Sequence, residues 1–127
     1  MVEWSEISGQ CGLPCIATPQ ESSGRETSSA ALTAWVTKYP QAVTEKLMAY
    51  GAVLFRGFSF DGIEAFDGLA NAFCPTRQDY IGGNSPRIRI RNGVYTATEY
   101  PNGMKISLHN EASYLRSMPR YIIFYCA

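Results

Sequence analysis

Residues 51–58, Gly51-Ala52-Val53-Leu54-Phe55-Arg56-Gly57-Phe58, place four apolar residues in a row between glycines. A run this short, rich in strand formers and bounded by turn residues, reads as a buried strand leaving into a loop. Helical patterns flank it on both sides. Upstream, Val43, Leu47, Met48 and Tyr50 recur at three and four residues after Pro40, and Gly51 stands where a helix C-terminal glycine would. Before them, Ser28 or Ser29 can cap a helix through Ala30, Ala31, Leu32, Ala34, Trp35 and Val36. That helix ends at Tyr39-Pro40, because proline disfavours a helical residue before it. Downstream, Asp61 is the expected cap of a third helix with the apolar stripe Ile63, Phe66, Leu69, Ala70 and Phe73, closed by Pro75.

From Asp79 the character changes. Gly82-Gly83-Asn84-Ser85-Pro86 is a turn-forming loop, and the segments after it favour β-branched and aromatic residues. The expected strands are Arg87 to Arg91, Val94 to Thr98, Lys105 to Glu111 and Tyr121 to Cys126. Asn92-Gly93, Pro101-Asn102-Gly103 and a loop containing Pro119 separate them. Residues 5–29 are rich in Ser, Gly, Pro, Thr and Gln without sustained periodicity and read as loop. The fold class is therefore α+β, with a loop-rich segment over residues 1–29 and one domain over residues 30–127.

The 127 residues are 46% apolar and 17% charged, which excludes a disordered chain and allows a core without disulfide staples. Basic and acidic side chains balance at 11 each, which argues against a nucleic-acid partner. The balance is uneven along the chain: Arg77, Arg87, Arg89, Arg91, Lys105, Arg116 and Arg120 face only Asp79, Glu99 and Glu111 in residues 77–127. Arg87, Arg89 and Arg91 alternate at strand spacing, as on a solvated sheet face, although the same charges suit an anionic small molecule. No apolar run reaches the ~18 residues of a membrane span, and Met1-Val2-Glu3-Trp4-Ser5-Glu6 lacks the basic-then-apolar order of a signal peptide. A cytoplasmic protein with no membrane partner is expected, with Cys11, Cys15, Cys74 and Cys126 reduced.

The single histidine lies in Ile106-Ser107-Leu108-His109-Asn110-Glu111-Ala112-Ser113-Tyr114. On a strand, side chains two apart share a face, so His109 and Glu111 can offer an imidazole nitrogen and a carboxylate oxygen to one point. Two histidines and one carboxylate on one face of an octahedron make the Fe(II) facial triad, and His-x-Glu supplies two of the three. Alone the spacing is a weak signal, because a lone strand histidine is usually a hydrogen-bonded side chain without a metal.

Several stretches together carry more. Gly51 to Phe58, the Phe66 to Phe73 helix, Tyr95-Thr96-Ala97-Thr98-Glu99-Tyr100-Pro101, Leu108 to Tyr114, and Pro119 before Ile122-Ile123-Phe124-Tyr125-Cys126 resemble the amino-terminal half of a TauD/TfdA-family dioxygenase. The SyrP-like subgroup, linked to peptide natural products, is the most similar. The resemblance implies helices packed on a double-stranded β-helix, or jelly roll, that binds Fe(II) and the cosubstrate 2-oxoglutarate. It implies oxidation, as by a hydroxylase, of a small molecule such as an amino acid, free or tethered to a carrier protein. By motif match His109 and Glu111 are iron ligands. Most of the wider family has aspartate at the position of Glu111, and glutamate recurs in the SyrP-like subgroup.

In the resembled family a second histidine and a 2-oxoglutarate-binding arginine lie well downstream, and this chain holds one histidine. The expectation is an amino-terminal fragment, inactive by itself; the alternative is a non-catalytic pseudoenzyme or interaction module of the same fold. Lys105 and Ser107 share strand parity with His109 and so can line its cavity, while a lysine at a strand start equally well reaches solvent. Asn84 and Arg87 occupy the place of a substrate loop in the resembled family, or else a plain turn. Tyr80, Tyr95 and Tyr114 suit an apolar wall or ordinary core packing. Two other chemistries have less support: the apolar flanks of Cys74 and Cys126 disfavour a thiolate nucleophile, and Cys11, Cys15 and His109 make a poor structural zinc set.

Overall fold

A computed structural model describes residues 2–7, 14–20, 27–80, 87–91, 93–97, 101, 103–110 and 113–126. In chain order the elements are β1 (Val2–Glu6), β2 (Cys15–Pro19), α1 (Ser29–Lys38), α2 (Pro40–Tyr50), β3 (Val53–Phe55), α3 (Gly62–Phe73), β4 (Arg89–Arg91) and β5 (Val94–Tyr95). The protein is a mixed α and β structure. Its contacts divide it into two compact units, Met1–Pro75 with Tyr125–Ala127, and Thr76–Phe124.

In the first unit, the Ser28 hydroxyl accepts the Ala31 N–H at 3.1 Å and caps α1. The helix closes where the Tyr39 N–H donates to the Trp35 carbonyl, and Pro40 begins α2 at a position that needs no amide donor. Gly51 ends α2 in the left-handed conformation, φ 69°, its N–H bonded to the Leu47 carbonyl. Asp61 stands at the N-cap of α3, as expected, yet its side chain makes no capping hydrogen bond. Cys74 then takes the Ala70 carbonyl and Pro75 follows.

The run at 53–55 is indeed a strand, and it pairs parallel to β2, with Cys15 opposite Val53 and Ala17 opposite Phe55. β1 pairs antiparallel to the other edge of β2. Residues 5–29 thus contain strand where loop was expected. Cys15-Ile16-Ala17-Thr18-Pro19 has little strand signal of its own, and its backbone is satisfied by β1 and β3, which are remote in sequence. Cys15 and Ala17, two apart, are both buried. Leu32, Val36, Val43 and Leu69 form the core, with Val2, Trp4 and Phe55 packed around it, and α1 lies against α3. Tyr125 stacks on Phe66 with ring centroids 5.2 Å apart. On the surface of this unit the Tyr50 hydroxyl donates to Glu6 at 2.8 Å; that bond and the carboxylate charge raise the tyrosine's pKa.

In the second unit, β4 and β5 form a two-stranded antiparallel ladder with an irregularity between Arg89 and Arg91, extended by paired bonds between Ile88 and Thr96. The sheet is smaller than the sequence implies: β5 ends at Tyr95, and the described residues 105–110 and 121–126 form no strand. A strand exists only where a neighbour takes up its backbone groups, and no described segment does so there. Ile106, Leu108, Ile122 and Phe124 are accordingly exposed.

Gly93 follows β4 with φ 69°, and a Cβ built on it would stand 2.8 Å from the Arg77 Cβ. Gly93→Ala should therefore destabilise the second unit by about 1–3 kcal/mol, through left-handed strain and displacement of Arg77. Amide exchange in β4 and β5 would report it, and unchanged protection would contradict the effect.

Candidate metal centre

His109 follows β5 in an exposed segment without strand pairing, and its Nδ1 lies 2.8 Å from the Ser107 carbonyl oxygen. A carbonyl oxygen only accepts, so Nδ1 must carry the proton. The neutral imidazole then has its lone pair on Nε2, the tautomer in which a histidine anchored by a backbone carbonyl ligates a metal. The residue's chemistry thus fits a ferrous ion. The carboxylate partner, Glu111, lies outside the described residues, as does Asn84. Among the described residues no three His, Cys, Asp or Glu side chains gather to hold a metal.

The other candidates are spread through the second unit. Lys105 and Ser107 are exposed in a segment without strand pairing, so the parity argument for a shared cavity loses its basis in the described backbone. What joins Ser107 to His109 is the backbone carbonyl. The Arg87 guanidinium stands 4.5 Å from the centre of the Tyr80 ring, within cation–π range. Tyr95 is not simply an apolar wall: its hydroxyl donates to Asp79 at 3.0 Å and accepts the Tyr80 N–H at 3.1 Å. Nothing in the spacing of residues 79, 80 and 95 signals this polar junction; the turn that returns the chain brings them together. Among the described residues Cys15, Cys74 and Cys126 are thiols outside any disulfide, and Cys15 is buried in β2 with its sulfur 3.6 Å from the Ser5 carbonyl, a poor posture for zinc. Cys11 lies outside the described residues. No helix among the described residues is long and apolar enough to cross a membrane.

Against this site, comparison with known proteins is specific. Residues 20–127 match the family described as taurine catabolism dioxygenase TauD, TfdA family, and the chain belongs to that family. A clavaminate synthase-like protein of Arabidopsis thaliana is 40% identical over 76 residues, covering 60% of this chain and 23% of the relative. The dapdiamide synthesis protein DdaC of Enterobacter agglomerans is 33% identical over 99 residues, 78% of this chain and 30% of the relative. The chain spans less than a third of the length of these curated relatives.

Proposed function

We propose that this chain contributes His109 and Glu111, two of three iron ligands, to an Fe(II)- and 2-oxoglutarate-dependent dioxygenase built on a jelly roll. The observation that supports the reading is the Nδ1 contact to the Ser107 carbonyl, which is compatible with metal binding at Nε2, in a chain of the TauD/TfdA family whose sequence has a glutamate two residues on. Iron and 2-oxoglutarate supply oxygen activation when bound, while the protein fixes geometry and keeps water away. His109 donates its Nε2 lone pair, Glu111 one carboxylate oxygen, and the Ser107 carbonyl holds the ring in orientation. The third ligand and the arginine for 2-oxoglutarate come from polypeptide other than these 127 residues, which hold a single histidine; the chain by itself is then an inactive amino-terminal portion.

The substrate is an amino-acid-like small molecule, free or carrier-tethered. Glutamate at position 111 supports the SyrP-like subgroup, and a relative named for dapdiamide synthesis supports a natural-product setting. Asn84, Arg87, Lys105 and Ser107 are its candidate contacts, within a domain over residues 30–127 of a cytoplasmic enzyme. Anaerobic addition of Fe(II) and 2-oxoglutarate to the complete enzyme should give a visible charge-transfer band, and aerobic turnover should release succinate. Absence of both would leave the second reading, a non-catalytic module of the same fold, which the single histidine favours.

A further inference from the structure

In the second unit, side chains distant in sequence meet at one hydroxyl. Tyr95 accepts the Tyr80 backbone N–H at 3.1 Å while donating to Asp79 Oδ1 at 3.0 Å, the two roles a phenol can fill at once. The same Asp79 oxygen lies 3.3 Å from Arg89, and both of these side chains are about half exposed, 54% and 47%. The Tyr80 and Tyr95 rings are 6.0 Å apart, and the Tyr80 ring carries the Arg87 guanidinium at 4.5 Å. An ion pair this exposed adds little to stability. What the network does is fix a direction: the hydrogen bond to Tyr95 holds the Tyr80 backbone, and the Arg87 guanidinium rests against the Tyr80 ring.

We propose that Tyr95 is a positioning residue for Arg87, acting through Tyr80, and that it presents the guanidinium to an anionic group of the substrate such as a carboxylate. The second half rests on Arg87 being a substrate contact; the first does not. A planar guanidinium suits a bidentate carboxylate only at a defined angle, which is why the position of its support matters.

Nuclear magnetic resonance of the isotope-labelled chain tests this without substrate. The Tyr80 ring current should shift the Arg87 side-chain resonances upfield, and Tyr80→Leu gives the value for complete loss. Tyr95→Phe, which removes one oxygen, should move those resonances at least halfway to that value while Ile88 and Thr96 keep their cross-strand contacts. Unmoved Arg87 resonances would overturn the proposal. Should Tyr95→Phe lose the ladder, amide exchange in the unaltered chain decides: a Tyr80 N–H that exchanges as freely as an unbonded amide is not held by Tyr95 and overturns the proposal. An unchanged KM in Arg87→Ala complete enzyme, with succinate release read over free amino acids, would remove the substrate contact and leave the positioning of Arg87 standing.

Discussion

Replacing His109 by alanine is expected to abolish the Fe(II)–2-oxoglutarate absorption band of the complete enzyme and to weaken iron binding by about a hundredfold or more. Loss of a residue that merely orients a ligand costs about 10- to 100-fold, and loss of the ligand itself should cost at least the upper end of that range. The contact at Nδ1 sharpens the test. Because the acceptor is the Ser107 backbone carbonyl, Ser107→Ala keeps it, and iron binding should survive that change. Lys105→Ala, in the same exposed segment, should leave the band in place as well. A band that persisted in His109→Ala would put the metal elsewhere and defeat the oxygenase reading at its root.

Leu32→Ala should be the most damaging of the conservative core changes. Leu32 is 1% exposed and sits with Val36, Val43 and Leu69 at the centre of the first unit. Truncating a leucine so enclosed costs about 2–5 kcal/mol, from lost burial and from the cavity that remains. Whole domains are stable by about 5–15 kcal/mol, so the variant should unfold at a urea concentration lower by on the order of 1–2 M. Met48→Ala is the matched control: Met48 is also apolar and helical, yet 83% exposed, and its loss should change stability by no more than about 0.5 kcal/mol. Equal effects of the two would mean that the core is not where the packing places it.

The contrast between Leu32 and Met48 shows how far the sequence could be read. Local rules put caps, breaks and stripes at Ser28, Pro40, Gly51 and Pro75, and the helices end there, because these signals act within a turn or two of the chain. The same periodicity counted Met48 among the apolar positions of its helix and could not show that this flank would have no neighbour. His-x-Glu at positions 109 and 111 is likewise a local pattern, and it gains meaning from the motifs around it.

What the residues alone determined, then, is the helical first half, the strand at 53–55, which is half-buried where burial was expected, and the side-chain chemistry on offer at positions 109 and 111. The β2 strand and the junction of Asp79, Tyr80, Arg87 and Tyr95 were decided only by the tertiary structure. Each depends on which backbone group or ring arrives from elsewhere to complete a hydrogen bond or a cation–π contact. Composition and spacing describe what a segment can offer; its partners are selected when the chain folds back on itself.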